Sequence, residues 1–161
     1  MSDDLLVVSF RLALAALVGA AIGLNRDLHR KPAGIRTHAL VSLGTALMVI
    51  VVLPPGSREA PHYDALSRVI QGVLTGIGFL GAGVILRDPG TRHVSGLTTA
   101  ATIWLTALLG VACGAGLYVP VLIALALGAL VVAFGGRVER ALRLHWARAE
   151  RPGKSGEPPE D

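Results

Sequence analysis

Charge, cysteine and aromatic side chains are all scarce in this chain of 161 residues. Charged residues make up 16% of it, where soluble domains average about a quarter, so an ordinary soluble enzyme domain is excluded. The single cysteine, Cys113, permits no internal disulfide and no multi-cysteine metal cluster. With only seven aromatic residues, the net charge of +4 gives no reason to expect nucleic acid as a partner. The most telling absence is acidic: none of the eleven carboxylates falls inside a long apolar run. That rules out a proton relay through Asp or Glu within a membrane, and an acidic magnesium site there. His29, His38, His62, His93 and His145 are scattered without a ligand spacing, so neither a metal site nor a cofactor is expected.

What the chain has instead is apolar length: 52% hydrophobic residues and a mean hydropathy of +0.60. A helix needs about 20 mostly apolar residues to cross the hydrocarbon core. Stretches at residues 5–24, 37–53 and 69–86 meet that need, and the stretch at 97–134 is long enough for two crossings. The cluster Cys113-Gly114-Ala115-Gly116 has turn character and divides it into 97–113 and 117–134. The expectation is an all-α integral membrane bundle of five transmembrane helices over residues 1–136. A cleaved signal peptide is the alternative for the first stretch, since Val18-Gly19-Ala20 resembles a cleavage site. Against it stand the two leading aspartates and the 20-residue apolar length.

Lysine and arginine positions set the expected orientation. Arg26, Arg30, Lys31, Arg36, Arg87, Arg92 and six basic residues after position 136 share one side if there are five spans, against Arg58 and Arg68 on the other. The N-terminus is then outside and the C-terminus cytoplasmic. Residues 137–151 read as a basic amphipathic juxtamembrane helix, with Val138, Leu142 and Trp146 on one face; it is either laid on anionic lipid or a solvated tail. Residues 152–161 read as disordered.

Glycine carries the packing signal. Gly19 and Gly23 form one GxxxG pair, and Gly72, Gly76 and Gly83 recur on the third span. Gly76, Gly78 and Gly81 match the dinucleotide fingerprint GxGxxG, but inside a span the strand–turn–helix context is missing. Close helix packing explains them better, which makes the third span the expected centre. Arg11 and Gln71 are the intramembrane polar residues to explain; Arg11 either snorkels to the outer interface or bonds between helices. Two helix N-termini are expected beside the basic links, where Arg26, Arg36, Thr37, His38, Arg92, Thr98 and Thr99 form a candidate cytoplasmic site for an anion or a partner. The alternative is that positive-inside charges and ordinary caps account for all of them. The segment Gly34-Ile35-Arg36-Thr37-His38-Ala39 can be laid over Gly96-Leu97-Thr98-Thr99-Ala100-Ala101, which suggests a duplicated two-helix unit, although glycine-rich apolar sequence also aligns by chance.

Four segments in collinear order resemble the MgtC/SapB family of bacterial membrane proteins. They are Ala21-Ile22-Gly23-Leu24-Asn25-Arg26, Pro32 through Leu40, Gly76 through Ile85, and Gly96 through Ala101. The resemblance implies a five-helix domain in the bacterial cytoplasmic membrane, associated with low-magnesium adaptation, intracellular survival and virulence. It also implies a non-enzymatic role: acting on another membrane protein, the ATP synthase included. The lipid bilayer and a second copy of the chain are further expected partners. A small transporter or channel component for an ion or solute is the alternative, with Ser42, Thr45, Thr75, Thr102 and Thr106 among its few path residues. Asn25 stands where the family has Glu, which puts any charge-dependent role of that position in doubt. The soluble C-terminal regulatory domain of many relatives is not expected in a chain reaching only Asp161.

Overall fold

The computed structural model describes residues 2–57, 63–87 and 94–149. Five helices dominate: α1 (Ser2–Leu28), α2 (Ile35–Val52), α3 (Tyr63–Val84), α4 (Leu97–Ala115) and α5 (Tyr118–Ala149). Each has a segment long and apolar enough to cross a membrane. Strands β1 (Leu86–Arg87) and β2 (Val94–Ser95) form a two-residue antiparallel ladder between α3 and α4. It is an addition to the all-helical expectation, too short to carry a strand periodicity in sequence.

Local chemistry sets the helix ends. Asp3 and Asp4 occupy the first turn of α1 and Arg26 its last, the arrangement the helix dipole favours. Gly116 ends α4 in the left-handed region at φ +78°, where an L side chain is disfavoured. Its N–H donates to Cys113 O, and Leu117 N–H donates to Ala112 O. These two bonds form a Schellman closure, and α5 starts directly after it.

Among the described residues, those up to 125 form one compact unit and those from 126 a second. In the first, α2 lies between α1 and α4. Gly19 and Gly23 of α1 face the start of α2: a Cβ on Gly19 would overlap the His38 carbonyl, and one on Gly23 would lie 2.5 Å from Ile35 Cα. Gly110 and Gly114 of α4 do the same further along. A Cβ on Gly110 would run into Ser42 and Thr45, and one on Gly114 would lie 2.5 Å from Ala46 O. Ala15, Val18, Ala46, Leu109, Cys113 and Val121 fill the core that these helices and the first turns of α5 enclose. Phe10 meets Tyr118 edge to face at 5.5 Å between ring centroids.

The centre of the bundle is not where the glycine pattern placed it. Half of the apolar stretch of α4 is buried, against 17% of that of α3. The third helix leans on α4 through Val73 and Ile77, which pack on Ile103 and Ala107, and through Gly81, where a Cβ would meet Ala100 Cβ at 3.6 Å. A Cβ added at Gly72, Gly76, Gly78 or Gly83 would meet nothing within 4 Å. Those four glycines face outward because the stripe that seats α3 is the neighbouring one, spaced i, i+4, i+8. In the second unit, α5 continues unbroken through Gly135 and Gly136 to Ala149. The basic segment expected from residue 137 therefore extends the fifth helix up to residue 149. Arg137 sits 5.5 Å from the Phe134 ring centroid and donates to Ala133 O. Residues 150–161 lie outside the described residues.

The close approaches generate a contrast. Gly110→Leu should overpack α2 against α4 and lower stability by about 1–3 kcal/mol. Gly76→Leu should stay within about 0.5 kcal/mol, as for a surface change. Thermal unfolding midpoints of both variants in detergent check this, with Gly110→Leu expected below wild type and Gly76→Leu level with it.

Candidate functional site

Helix packing this close brings together polar side chains that are distant in sequence. Arg26, His38, Ser42, Thr45, Thr99, Thr102 and Thr106 are all buried. They form a polar seam where α1, α2 and α4 meet. At one end the Arg26 guanidinium, 4% exposed, donates through Nη2 to Thr99 Oγ1 in the first turn of α4. Thr102 Oγ1 donates to Thr99 O at 2.9 Å and stands 3.4 Å from His38 Nε2, while His38 Nδ1 lies 3.0 Å from Gly34 O. Deeper along the seam Thr106 Oγ1 donates to Thr102 O at 2.8 Å. Thr45 Oγ1 lies within hydrogen-bond reach of both Ser42 O and Ala107 O, at 3.0 and 3.1 Å.

Most hydroxyls of the seam are therefore spent on main-chain carbonyls. Back-bonding of this kind satisfies a threonine inside apolar surroundings and leaves it little capacity for a passing ion. Two polar atoms of the seam are exceptions: among the described residues, Arg26 Nε and Ser42 Oγ are buried without a hydrogen-bond partner, as is Arg11 Nε outside the seam.

At the far end of α4, Arg11 Nη1 donates to Gly114 O at 2.7 Å. Arg11 is half-buried and bonds between helices. A cation at a helix C-terminus gains from the dipole there. Arg11 and Arg26 stand fifteen residues apart on α1, and their partners Gly114 and Thr99 stand fifteen apart on α4. The two arginines thus hold opposite ends of α4, about 22 Å apart at 1.5 Å per residue.

The candidate anion site divides. Arg26, His38 and Thr99 come together and are buried, whereas Arg36, Thr37 and Thr98 are exposed. Adjacent helix positions turn by about 100°, so Thr37 and His38 cannot share a face. Arg92 lies outside the described residues. Gln71 is exposed on α3, where its carbonyl accepts a bond from Thr75 Oγ1. Three contributors escaped the sequence reading. Asp27 caps α2, its Oδ2 accepting from Ile35 N–H at 3.0 Å, and an acid eight residues before its target carries no local signature. Gly110 and Gly114 were legible as a GxxxG pair, but the second of them was assigned to the turn. Among the described residues no three His, Cys, Asp or Glu side chains are grouped to hold a metal ion.

The sequence profile of the MgtC family matches residues 12–141. Protein SrpB of Synechococcus elongatus is 49% identical over 154 residues, covering 90% of this chain and 85% of its own. Protein MgtC of Salmonella typhimurium is 41% identical over 118 residues, 72% of this chain and 48% of its own. YhiD of Escherichia coli (strain K12), named as a candidate magnesium transporter, is 44% identical over 112 residues, 67% of this chain and 51% of its own. The chain thus spans most of SrpB and about half of MgtC and YhiD. No solved structure matches. The chain belongs to the MgtC family.

The bond from Arg11 to Gly114 O involves a charged donor, for which about 1.5–3 kcal/mol is typical. Arg11→Leu should lose stability of that order, Arg11→Lys should recover part of it, and Arg36→Leu, at an exposed position, should change little. Denaturant unfolding in detergent measures all three, and equal stability of Arg11→Leu and wild type would remove the inter-helix role.

Proposed function

We propose that this MgtC-family chain is a multi-pass, non-enzymatic protein of the bacterial cytoplasmic membrane that modulates another membrane protein. The N-terminus is outside and the C-terminus cytoplasmic. The observation that carries the reading is how the polar groups are used. The interior seam of threonines is packed and bonded to carbonyls, and the hydroxyl beside His38, that of Thr102, donates to the Thr99 carbonyl rather than to the imidazole. Outside, Gly72, Gly76, Gly78 and Gly83 of α3 have open space where a side chain would project, which suits a protein that works by lying against another. The twelve lysines and arginines gathered on one side of a five-span topology support the orientation. Low-magnesium adaptation, virulence and the ATP synthase as the partner come from the family resemblance alone.

Transport of an ion or small solute is the second reading. The alignment of Arg26, Thr99, Thr102, Thr106 and Thr45 along α4 favours it, as does the name given to YhiD. Its weakness is chemical. Magnesium releases its water reluctantly and is normally held through carboxylates, and the seam has none.

The two readings part in one experiment. Protein reconstituted with an enclosed magnesium-sensitive dye should show no uptake above empty liposomes. Crosslinking in native membranes should capture a membrane protein, and Phe79→Lys, placed on the exposed face of α3, should reduce that capture. Saturable uptake blocked by competing divalent ions would replace modulation with transport. A reporter at Gly56 should read as external and one after Ala149 as cytoplasmic.

A further inference from the structure

The two ends of α4 are treated in opposite ways. At its C-terminus Arg11 donates to a free carbonyl, as the dipole favours. At its N-terminus the dipole favours an anion, yet the first turn holds no acid and Gly96 offers no side-chain cap. The N–H groups of Leu97, Thr98 and Thr99 precede the first intrahelical donor, Ala100 N–H, which bonds Gly96 O. Into this turn projects a second positive group, the Arg26 guanidinium, whose hydrogen-bond partner among the described residues is the neutral Thr99 hydroxyl. Among the described residues its Nε is buried without a partner.

The neighbouring helix shows what this end lacks. The α2 N-terminus is answered by Asp27, which bonds Ile35 N–H. Arg26 also lies in the last turn of α1, whose carbonyl end contributes about half a negative charge. The guanidinium still remains net positive beside the positive end of α4. A buried charge of this kind is retained at a cost unless an opposite charge meets it.

We propose that Arg26 and the first turn of α4 form a phosphate-binding site. A tetrahedral oxyanion suits it because its oxygens can accept from donors that lie in different directions. The guanidinium fork approaches from α1, and the amides of residues 97–99 point along the α4 axis. Arginine forks and helix N-termini are each recurrent phosphate ligands. The exposed Thr98 hydroxyl stands on the same turn. The phosphate is either that of a lipid head group or free phosphate, and both present the same oxygens. The site does not depend on the modulator reading, because binding can be lost while partner capture persists.

The test uses the full chain in a phosphate-free maltoside detergent at constant ionic strength. Inorganic phosphate is titrated in one arm and phosphatidic acid in the other, with the thermal midpoint as readout. A saturable rise is expected in at least one arm: a response to inorganic phosphate assigns free phosphate, and a response to phosphatidic acid alone assigns the lipid. Arg26→Gln should weaken the apparent affinity about tenfold or more, the loss expected for a charged hydrogen bond. Arg26→Lys, which keeps the charge but not the fork, should fall between, and it serves where Arg26→Gln does not fold. Arg36→Gln should bind as wild type does. No saturable rise in either arm overturns the site, as does a rise unchanged in Arg26→Lys and Arg26→Gln.

Discussion

Contact between main chains on both sides of α2 is the constraint from which the rest follows. In lipid, burying apolar surface between helices brings no net gain, so association relies on dispersion and on small residues that let backbones approach. Gly19 and Gly23 give α1 that approach, and Gly110 and Gly114 give it to α4. With the three backbones this close, short side chains can reach across. Thr45 of α2 reaches the Ala107 carbonyl, and His38 comes to Thr102. The polar seam is a product of the glycine contacts and could not form at an ordinary leucine-lined distance.

The helices were largely legible because apolar length is a one-dimensional property. Five spans follow from the runs and from the turn at Cys113 through Gly116, where the structure sets the Schellman closure. Which glycines touch something was less legible. Gly19/Gly23 and Gly72/Gly76 have the same spacing, and the difference lies in whether a partner helix passes over that face. On α3 the partner passes over Val73, Ile77 and Gly81 instead. The candidate site was legible in its members more than in its arrangement. Arg26, His38 and Thr99 were named from their nearness to expected helix starts. Their separation from Arg36, Thr37 and Thr98 depends on helix rotation, which a list of neighbouring residues does not contain. The pairing of Arg11 with Gly114 spans 103 residues and has no sequence signal at all.

Seam and surface divide the chemistry between them. Inside, hydroxyls bonded to their own helices make polar residues tolerable among apolar ones, at positions where carboxylates would be far more costly to bury. Outside, Phe79 and the glycines at 72, 76, 78 and 83 of α3 are exposed, as are Arg137 and Arg140 of α5. A bundle organised in this way keeps its interior fixed and offers its contacts outward.

The antiparallel pairing of α1 with α4 also bears on how the chain is made. Thr99 follows Arg26 by 73 residues and Gly114 follows Arg11 by 103. At synthesis rates of about 5–20 residues per second, that separates each arginine from its partner by about 4–20 s. The first two helices can pair during this interval through Gly19 and Gly23, whereas the third emerges before the helix that both arginines need. In the bilayer placement proposed above, nascent α1 must therefore wait with two cations unmatched. For those seconds the insertion machinery, water or lipid head groups have to hold what α4 later holds.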